Sequence, residues 1–485
     1  MTKPRRTHPL GLLQHIAKSI KDYWFLLILV FTNHDHTSIW FWGILIILIL
    51  AFFIWPCAKW LTLTYAITPD AVVVHSGVFV RHHEHIPYTR IQTVQSKQWF
   101  YLRPFKLEEV LIETASHADS APEARLAAVP ITVAQQINHY RQTATTDPTP
   151  VTAAPTADTP PAEPSPIADT VAPAAYYQIN YRDLVKFGLT SLIFIPFLLV
   201  LLGLYNKIPR NMTDALVSDA SHLALTLLIA GAVVIILIAW LGAFLWTLTR
   251  YYHFELSRSG HQLVAAKGLF QRNTVTAPLD RLQAVRIKQN ILRQWLHLQT
   301  VQILVASKAA SDDDDNDLVV MPVIASDIVY RTMQPFIQWL PDHQPDLADL
   351  HVAHSWYQMR NTMLVVAVPI ALLWWLWPSW GWMSLILLPI AALQGRFAAR
   401  NTAGRLLSPK LLALQTGHFW ERELYYIPTN KIQSMKLTRS IWMKRTHLAH
   451  LVVNIRHGNR NQAIELRYLH ADAAHAIYDW YLHRT

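Results

Sequence analysis

A basic residue recurs at three places in the chain, each time three residues after a proline. The recurring residues are Arg90, Arg281 and Lys431. Each is followed by Gln at the second position and by Leu at the seventeenth, without a gap. A cation fixed after a turn could hold a phosphate or a lipid headgroup through charge-assisted hydrogen bonds. A salt bridge at a buried edge, or a contact with a loop carbonyl, is the alternative.

A denser basic cluster lies near the C-terminal end of the chain. Residues 396–485 contain fourteen Lys or Arg and five Asp or Glu. The cluster consists of Lys436, Arg439, Trp442, Lys444 and Arg445. Near an anionic leaflet each Lys or Arg contributes about 1 kcal/mol of attraction. We therefore predict contact with anionic lipid headgroups; a solvated basic face and nucleic-acid binding are the alternatives, and we predict no nucleic-acid partner.

Other residues that could carry chemistry lack the companions that the chemistry needs. His83 and His85 would share one face of a strand, as two metal ligands might, but no third ligand stands at a characteristic spacing. Asp312–Asp315 and Asp317 lack the Gly and Glu of a calcium-binding loop, and we predict an acidic hairpin tip there. Cys57 is the single cysteine, which excludes disulfides and Cys-based metal sites. Since the common catalytic motifs are also missing, we predict no metal, no cofactor and no enzymatic activity.

The elements around these residues include long apolar segments. Among 485 residues, 52% are hydrophobic and 15% are charged, which excludes a disordered chain and argues against a purely soluble one. Six apolar segments form three close pairs: Tyr23–Phe31 and Ile39–Ala58, Leu184–Tyr205 and Leu223–Leu248, and Met363–Trp377 and Trp380–Leu393. A membrane-spanning helix needs about 20 apolar residues. We predict six spans, with a re-entrant first hairpin as the alternative and with a third pair that is short.

Positive charge flanks one end of each apolar pair. Lys59 follows the second span, Arg250 the fourth and Arg396 the sixth, and five basic residues without an acid occupy residues 1–21. Flanking Lys and Arg mark the cytoplasmic side of a membrane protein. We predict a multi-pass protein of the cell membrane, with its N-terminus and its polar segments in the cytoplasm.

Each apolar pair is followed by a similar polar segment, which indicates an internal repeat. The three copies begin at Gly77, Gly268 and Gly417, and each is predicted to contain short strands and then one helix. The helices are predicted at Ile131–Arg141, Ser326–Leu340 and Ala471–His483. The predicted domains are a basic N-terminus with the first hairpin (1–58), module 1 (59–141), a Pro/Ala/Thr-rich linker (142–175), the second hairpin (176–249), module 2 (250–340), a connection with the third hairpin (341–395) and module 3 (396–485).

These residues resemble a known family. The segments IPYTRIQTV, from Ile86, and LEEVLIETAS, from Leu107, follow a membrane hairpin and resemble the pleckstrin-homology (PH)-like domain of bacterial YdbS/YdbT-like membrane proteins. Three such units, and the opening THPLGLLQHIAKSIK, resemble the longer, three-module type. The resemblance implies PH-like β-sandwich or half-barrel modules, each closed by a C-terminal helix, and hence membrane α-helical hairpins with α+β soluble modules. It also implies tolerance to membrane-active antimicrobials and a shorter, one-module partner of the same family.

The predicted function is a non-enzymatic scaffold or sensor at the inner leaflet of the membrane. The alternative is a transport or lipid-handling protein that uses the hairpins as a path. The clearest spans contain no ionisable residue, and proton relays and coupled-ion sites need such residues, so this pattern weakens the alternative.

Overall fold

The strands of the computed structural model form four antiparallel sheets. The structure describes residues 4–33, 39–114, 124–146, 175–191, 223–306, 317–376, 381–458 and 460–483. Every pairing between its strands is antiparallel, which agrees with the alternation of apolar and polar residues in the repeats.

Module 1 is built from two sheets that pack on a shared core. In chain order its elements are β1 (Arg5–Arg6), α1 (Gly11–Asn33), α2 (Ile39–Thr62), β2 (Thr64–Ile67), β3 (Ala71–Ser76), β4 (His82–Pro87), β5 (Ile91–Trp99), β6 (Leu107–Thr114), β7 (Ala124–Pro130) and α3 (Ile131–Thr146). Val72 and Ile86 of the first sheet meet Ile112 and Leu126 of the second, and Ile137 of α3 completes this core.

Module 2 repeats this arrangement. Its elements are β8 (Ala175–Gln178), α4 (Tyr181–Leu189), α5 (Leu223–Tyr251), β9 (Glu255–Ser259), β10 (Gln262–Lys267), β11 (Gln271–Pro278), β12 (Leu282–Asn290), α6 (Ile291–Trp295), β13 (Leu298–Val305), β14 (Asp317–Ala325) and α7 (Val329–Met333). The helix predicted at Ser326–Leu340 is shorter than expected: its buried residues Met333, Phe336 and Ile337 still pack on the core, but a run of turns carries the last two.

Module 3 has the same order of elements. They are β15 (Leu350–His351), α8 (Ser355–Leu376), α9 (Leu387–Arg400), β16 (Ala403–Ser408), β17 (Leu411–His418), β18 (Glu421–Pro428), β19 (Ile432–Thr438), α10 (Ile441–Arg445), β20 (Leu448–His457), β21 (Arg460–His470) and α11 (Ala471–Leu482). Leu414 and Tyr425 of one sheet pack with Val453 and Leu466 of the other, and Ala474 of α11 joins them.

The first sheet of each module begins before the membrane helices. The short strands β1, β8 and β15 precede the apolar pairs and are hydrogen-bonded to β2, β9 and β16, which follow the pairs. The sequence analysis did not predict these strands. The chain therefore enters a module, leaves it for the apolar helices, and returns to the same sheet.

The modules are joined to one another through their strands. Strand β11 of module 2 pairs with β5 of module 1, and β18 of module 3 pairs with β12 of module 2. Each pairing produces a seven-stranded sheet with strands from two modules. Two of the four sheets are thus shared between neighbouring modules.

Three helical stretches among the described residues are long and apolar enough to cross a membrane: Val233–Tyr251 within α5, Ser355–Leu376 and Gly381–Arg400. The last two extend beyond the short segments predicted for the third pair, because the helices continue through polar residues at the module end. They pack closely, and the Thr362 hydroxyl donates to the Ala391 carbonyl at 2.8 Å. Most of the predicted span Leu184–Tyr205 lies outside the described residues.

Candidate membrane-facing surface

An exposed phenylalanine stands at the turn between the third and fourth strands of every module. The residues are Phe79, Phe270 and Phe419, and Phe79 and Phe419 expose 86% and 85% of their surface. Each lies two residues after the Gly that opens a repeat copy. We call these three turns the hairpin tips.

The hairpin tips lie beside the ends of the apolar helices. The ring of Phe79 is 5.9 Å from that of Trp55 near the end of α2, and the ammonium of Lys59 lies 5.2 Å from the Trp55 ring. In module 3, Trp420 lies 5.5 Å from Phe397 of α9. The hairpin tips therefore lie beside the ends of the apolar helices, and aromatic rings and Lys are enriched at the ends of membrane spans.

A second exposed aromatic residue follows the fifth strand of every module. These residues are Phe105 in a 3-10 turn, Trp295 at the end of α6 and Trp442 in α10; Trp295 and Trp442 expose 81% and 75% of their surface. We call these three short segments the crossover tips. The crossover tip of module 1 lies against the hairpin tip of module 2, since Arg103 Nη2 donates to the Leu269 carbonyl at 2.6 Å.

The crossover tip of module 2 is tied to the end of α4. Asn290 Nδ2 donates to the Thr190 carbonyl at 2.7 Å, and Arg293 Nε donates to the Thr190 hydroxyl at 3.2 Å. The guanidinium of Arg293 lies 4.6 Å from the Phe187 ring. Burial lowers the pKa of Arg293 to about 10, so the group stays charged at neutral pH. These contacts fix the position of Trp295 relative to the chain that enters the predicted span.

The crossover tip of module 3 carries three residues of the predicted basic cluster. Trp442, Lys444 and Arg445 are exposed on α10, and the Arg445 guanidinium lies 5.9 Å from the Trp442 ring. The hydroxyl of Ser440 caps the helix by accepting from the Met443 amide at 3.2 Å. An exposed indole beside the Arg445 cation, with Lys444 on the same short helix, suits the boundary between an anionic headgroup layer and the hydrocarbon.

The other two residues of the basic cluster lie apart from this tip. Lys436 is exposed on β19, and Arg439 is half-buried with its Nη1 3.5 Å from His475 Nε2. The structure therefore divides the predicted cluster between a strand edge and a helical tip.

The three recurring cations lie at the opposite ends of the strands. Each stands in a 3-10 turn after β4, β11 or β18, whereas the hairpin tips precede these strands. Lys431 Nζ donates to the Asp280 carbonyl at 2.6 Å, which is the loop-carbonyl contact considered above. Burial lowers the pKa of Lys431; the charge of Asp280 opposes this and that of Arg281 adds to it. The structure brings Arg281 and Lys431 together across the module junction, and headgroup binding by Arg90, Arg281 and Lys431 stays a prediction.

The sequence analysis did not single out the hairpin-tip aromatics. The signal was present in the aligned copies, which read GVFV, GLFQ and GHFW and share a Phe two residues after Gly. Only their position beside the apolar helices distinguishes these residues from ordinary turn residues.

The candidate metal ligands do not form a site among the described residues. No three His, Cys, Asp or Glu side chains in this part of the chain lie close enough to hold a metal ion. His83 stacks edge-to-face on His75 of the neighbouring strand, with ring centroids 4.6 Å apart. Asp312–Asp315 lie outside the described residues, while Asp317 begins β14 and is buried beside Arg286 and His457.

Comparisons with known proteins agree with the three-module arrangement. The family model for the bacterial PH domain matches residues 23–144, 197–334 and 347–485, so that every match contains apolar residues and a module. The chain is 25% identical over 503 residues to the UPF0699 transmembrane protein YdbT of Bacillus subtilis, covering 99% of this chain and 98% of that protein. No solved structure matches the chain.

Proposed function

The chain belongs to the bacterial PH domain family, and from this premise we propose that it is a non-enzymatic, multi-pass scaffold or sensor whose modules sit on the cytoplasmic leaflet. It is a membrane protein with three PH-like repeats. In this proposal each apolar pair forms a hairpin of two spans, and each module is closed by its C-terminal helix. The positive charge after the spans supports the cytoplasmic side.

One observation carries this proposal: the exposed aromatic tips lie beside the ends of the apolar helices. Phe79 with Trp55, and Trp420 with Phe397, join module and membrane segments directly. Aromatic side chains exposed at these tips are costly in water and favourable in the interfacial layer. The cations Lys444 and Arg445, next to the exposed Trp442, add charge attraction to anionic headgroups.

Hydrogen exchange of the full-length protein in lipid nanodiscs tests the contact. Amides of residues 438–447 should exchange more slowly in phosphatidylglycerol than in phosphatidylcholine. The variant K444Q/R445Q should lose most of that difference. The matched control K410Q/R331Q removes the same charge from exposed residues outside the tips, and it should keep the difference. Equal exchange in both lipids for the unaltered protein would contradict the proposal.

We further propose that this surface supports envelope integrity and tolerance to membrane-active antimicrobials. A deletion strain should become more sensitive to a cationic membrane-active peptide, and the unaltered gene should restore its survival. Complementation by K444Q/R445Q should be weaker than by K410Q/R331Q at equal protein abundance. Equal complementation by both variants would separate the tolerance from the membrane-facing surface.

A further inference from the structure

The two junctions between modules use the same pair of strand edges in the same register. In the first junction Val94 lies opposite Thr276 and Trp99 opposite Gln271. In the second, Val285 lies opposite Tyr426 and Asn290 opposite Glu421. The repeat offsets of 191 and 150 residues convert every pair of the first junction into a pair of the second. A fifth strand that receives the fourth strand of another module is therefore a repeated interface of this fold.

One edge of each kind is left over at the ends of the array. Strand β4 of module 1 corresponds to β11 and β18, and β19 of module 3 corresponds to β5 and β12. In the part of the chain that the structure describes, β4 pairs with β3 alone and β19 with β20 alone. Each of these strands presents a row of backbone donors and acceptors that a further strand could pair with.

Burial at equivalent positions shows what these two edges lack. Gln95 on β5 and Arg286 on β12 are buried, whereas Lys436 at the same position of β19 is exposed. On the other side of the junction, Thr276 and Tyr426 are buried, but their counterpart on β4, His85, is exposed. The difference follows from the neighbouring strand that covers the internal positions.

The shared register also predicts which residues would meet if the two free edges paired. It places Lys436 opposite Glu84 and Met435 opposite His85. The second internal junction already holds such a pair, because Lys288 lies opposite Glu423 with Nζ 3.5 Å from Oε1. Facing opposite charges on neighbouring strands stabilise a pairing, and facing like charges destabilise it. The two free edges therefore have complementary charges at their centre.

We propose that β19 of one copy of this chain pairs with β4 of a second copy, antiparallel and in the register of the internal junctions. The hairpin tip at Phe79 would then meet the crossover tip at Trp442, as the tips of modules 1 and 2 meet in the structure. The contact would keep both copies on the same membrane surface. Because β4 and β19 are different surfaces, the contact is head-to-tail and extends into a ring or a row of copies.

Disulfide cross-linking of the full-length protein in native membranes tests this pairing. Two differently tagged chains, both with C57S, are co-expressed, one with E84C and the other with K436C. Mild oxidation should give a covalent dimer that carries both tags. The intrachain pair Q95C/V275C occupies the equivalent position of the first junction and reports that the conditions allow cross-linking. The off-register pair H85C with K436C points to opposite faces of the sheet and should give several-fold less dimer.

Charge exchange distinguishes pairing from loss of folding. Here the dimer is detected by the cross-linking pair S434C and Ile86→Cys. K436E alone or E84K alone should reduce the yield of dimer about fivefold. The two changes together should restore it. Absence of dimer while Q95C/V275C cross-links would overturn the proposal. A photoreactive residue at position 436 that captures a different protein, such as a one-module family member, in place of a second copy would also overturn it.

Discussion

A carboxyl group is buried inside module 1 at a position where the fold does not require one. Glu108 on β6 is buried next to Ser96, and burial raises its pKa from 4.5 to about 7 although the hydrogen bond with Ser96 opposes the change. The equivalent residues in modules 2 and 3 are Gln299 and Ala449, which carry no charge. Module 1 therefore loses stability when this carboxyl group ionises.

The variant E108Q tests this cost. The folded-state pKa of Glu108 lies above its unfolded value, so its neutral form favours the folded state. This contribution to the free energy of unfolding is fully present below pH 4.5 and is lost as the pH rises toward 7. At pH 8, E108Q should raise the thermal unfolding midpoint, and the matching gain in the free energy of unfolding should be at most about 3 kcal/mol. At pH 4.5 it should have little effect. Thermal unfolding at both pH values checks the prediction, and an equal effect at both would contradict it.

A charged network crosses the second module junction. Arg286 contacts Asp317 and donates to Gln302 Oε1, with Nε at 2.9 Å, and its Nη1 lies 3.7 Å from Glu423 of module 3. Burial alone would raise the pKa of Asp317, but the hydrogen bond from His457 and the charge of Arg286 lower it below its usual value. The same balance, with Arg286 and Lys288 opposing burial, lowers the pKa of Glu423.

Removal of the guanidinium should leave the buried Asp317 and the half-buried Glu423 without the charge of Arg286. The variant R286Q, which has the residue found at the equivalent position of module 1, should lose about 3–5 kcal/mol of stability at neutral pH. The exposed control R331Q should change it by about 0.5 kcal/mol or less. Adding D317N and E423Q to R286Q should recover most of the loss, as measured by urea unfolding. A carboxylate whose folded-state pKa is lowered stabilises the protein at pH values above its unfolded pKa, which is near 4. The stability that R286Q loses should therefore shrink as the pH falls through about 4.

At the scale of single elements, the hairpin tips depend on unusual turn geometry. Gly268 has a φ of +112°, and a Cβ there would lie 2.1 Å from the Gln271 carbonyl oxygen. In module 3 the turn is made differently: Gly417 continues strand β17, and Phe419 and Trp420 adopt positive φ instead.

The variant G268A should therefore destabilise the hairpin tip of module 2. The cost should be about 1–3 kcal/mol, because the conformation is almost restricted to Gly and the carbonyl is in the way. The control G260A has φ of +56° and open space around its Cβ, so it should cost about 1 kcal/mol. Hydrogen exchange of β10 and β11 in both variants measures the difference, and equal exchange in the two would contradict this account of the tip.

Strands and modules could be predicted from local patterns. The apolar positions of β6, β13 and β20 and the repeat spacing are properties of the chain itself, and all three strands form where expected. The short strands β1, β8 and β15 could not be predicted, because two to four residues carry no pattern and their pairing joins segments on either side of an apolar pair. The Trp442, Lys444 and Arg445 tip was visible as composition, but its separation from Lys436 and Arg439 was not.

At the scale of the whole molecule, the three modules are joined through shared sheets. The polar residues Gln95 and Arg286 are buried, and a strand of the next module lies beside each of them. The sequence periodicity of one module does not show that a strand of another module lies beside these residues. The hairpin tips lie beside the ends of apolar helices, and the crossover tip of module 1 contacts the hairpin tip of module 2, so the proposed membrane surface includes residues of neighbouring modules.

Photo-cross-linking to lipids in native membranes tests this surface most directly. A photoreactive amino acid is placed at Phe79, Trp295 or Trp442 in the full-length protein. The controls carry it at Asp70, His261 or Lys410, in the turns at the opposite ends of the same sheets. The account predicts lipid adducts at all three tip positions and few at the controls. Equal labelling of tips and controls, or adducts confined to the controls, would contradict the claim that the modules contact the membrane through their tips.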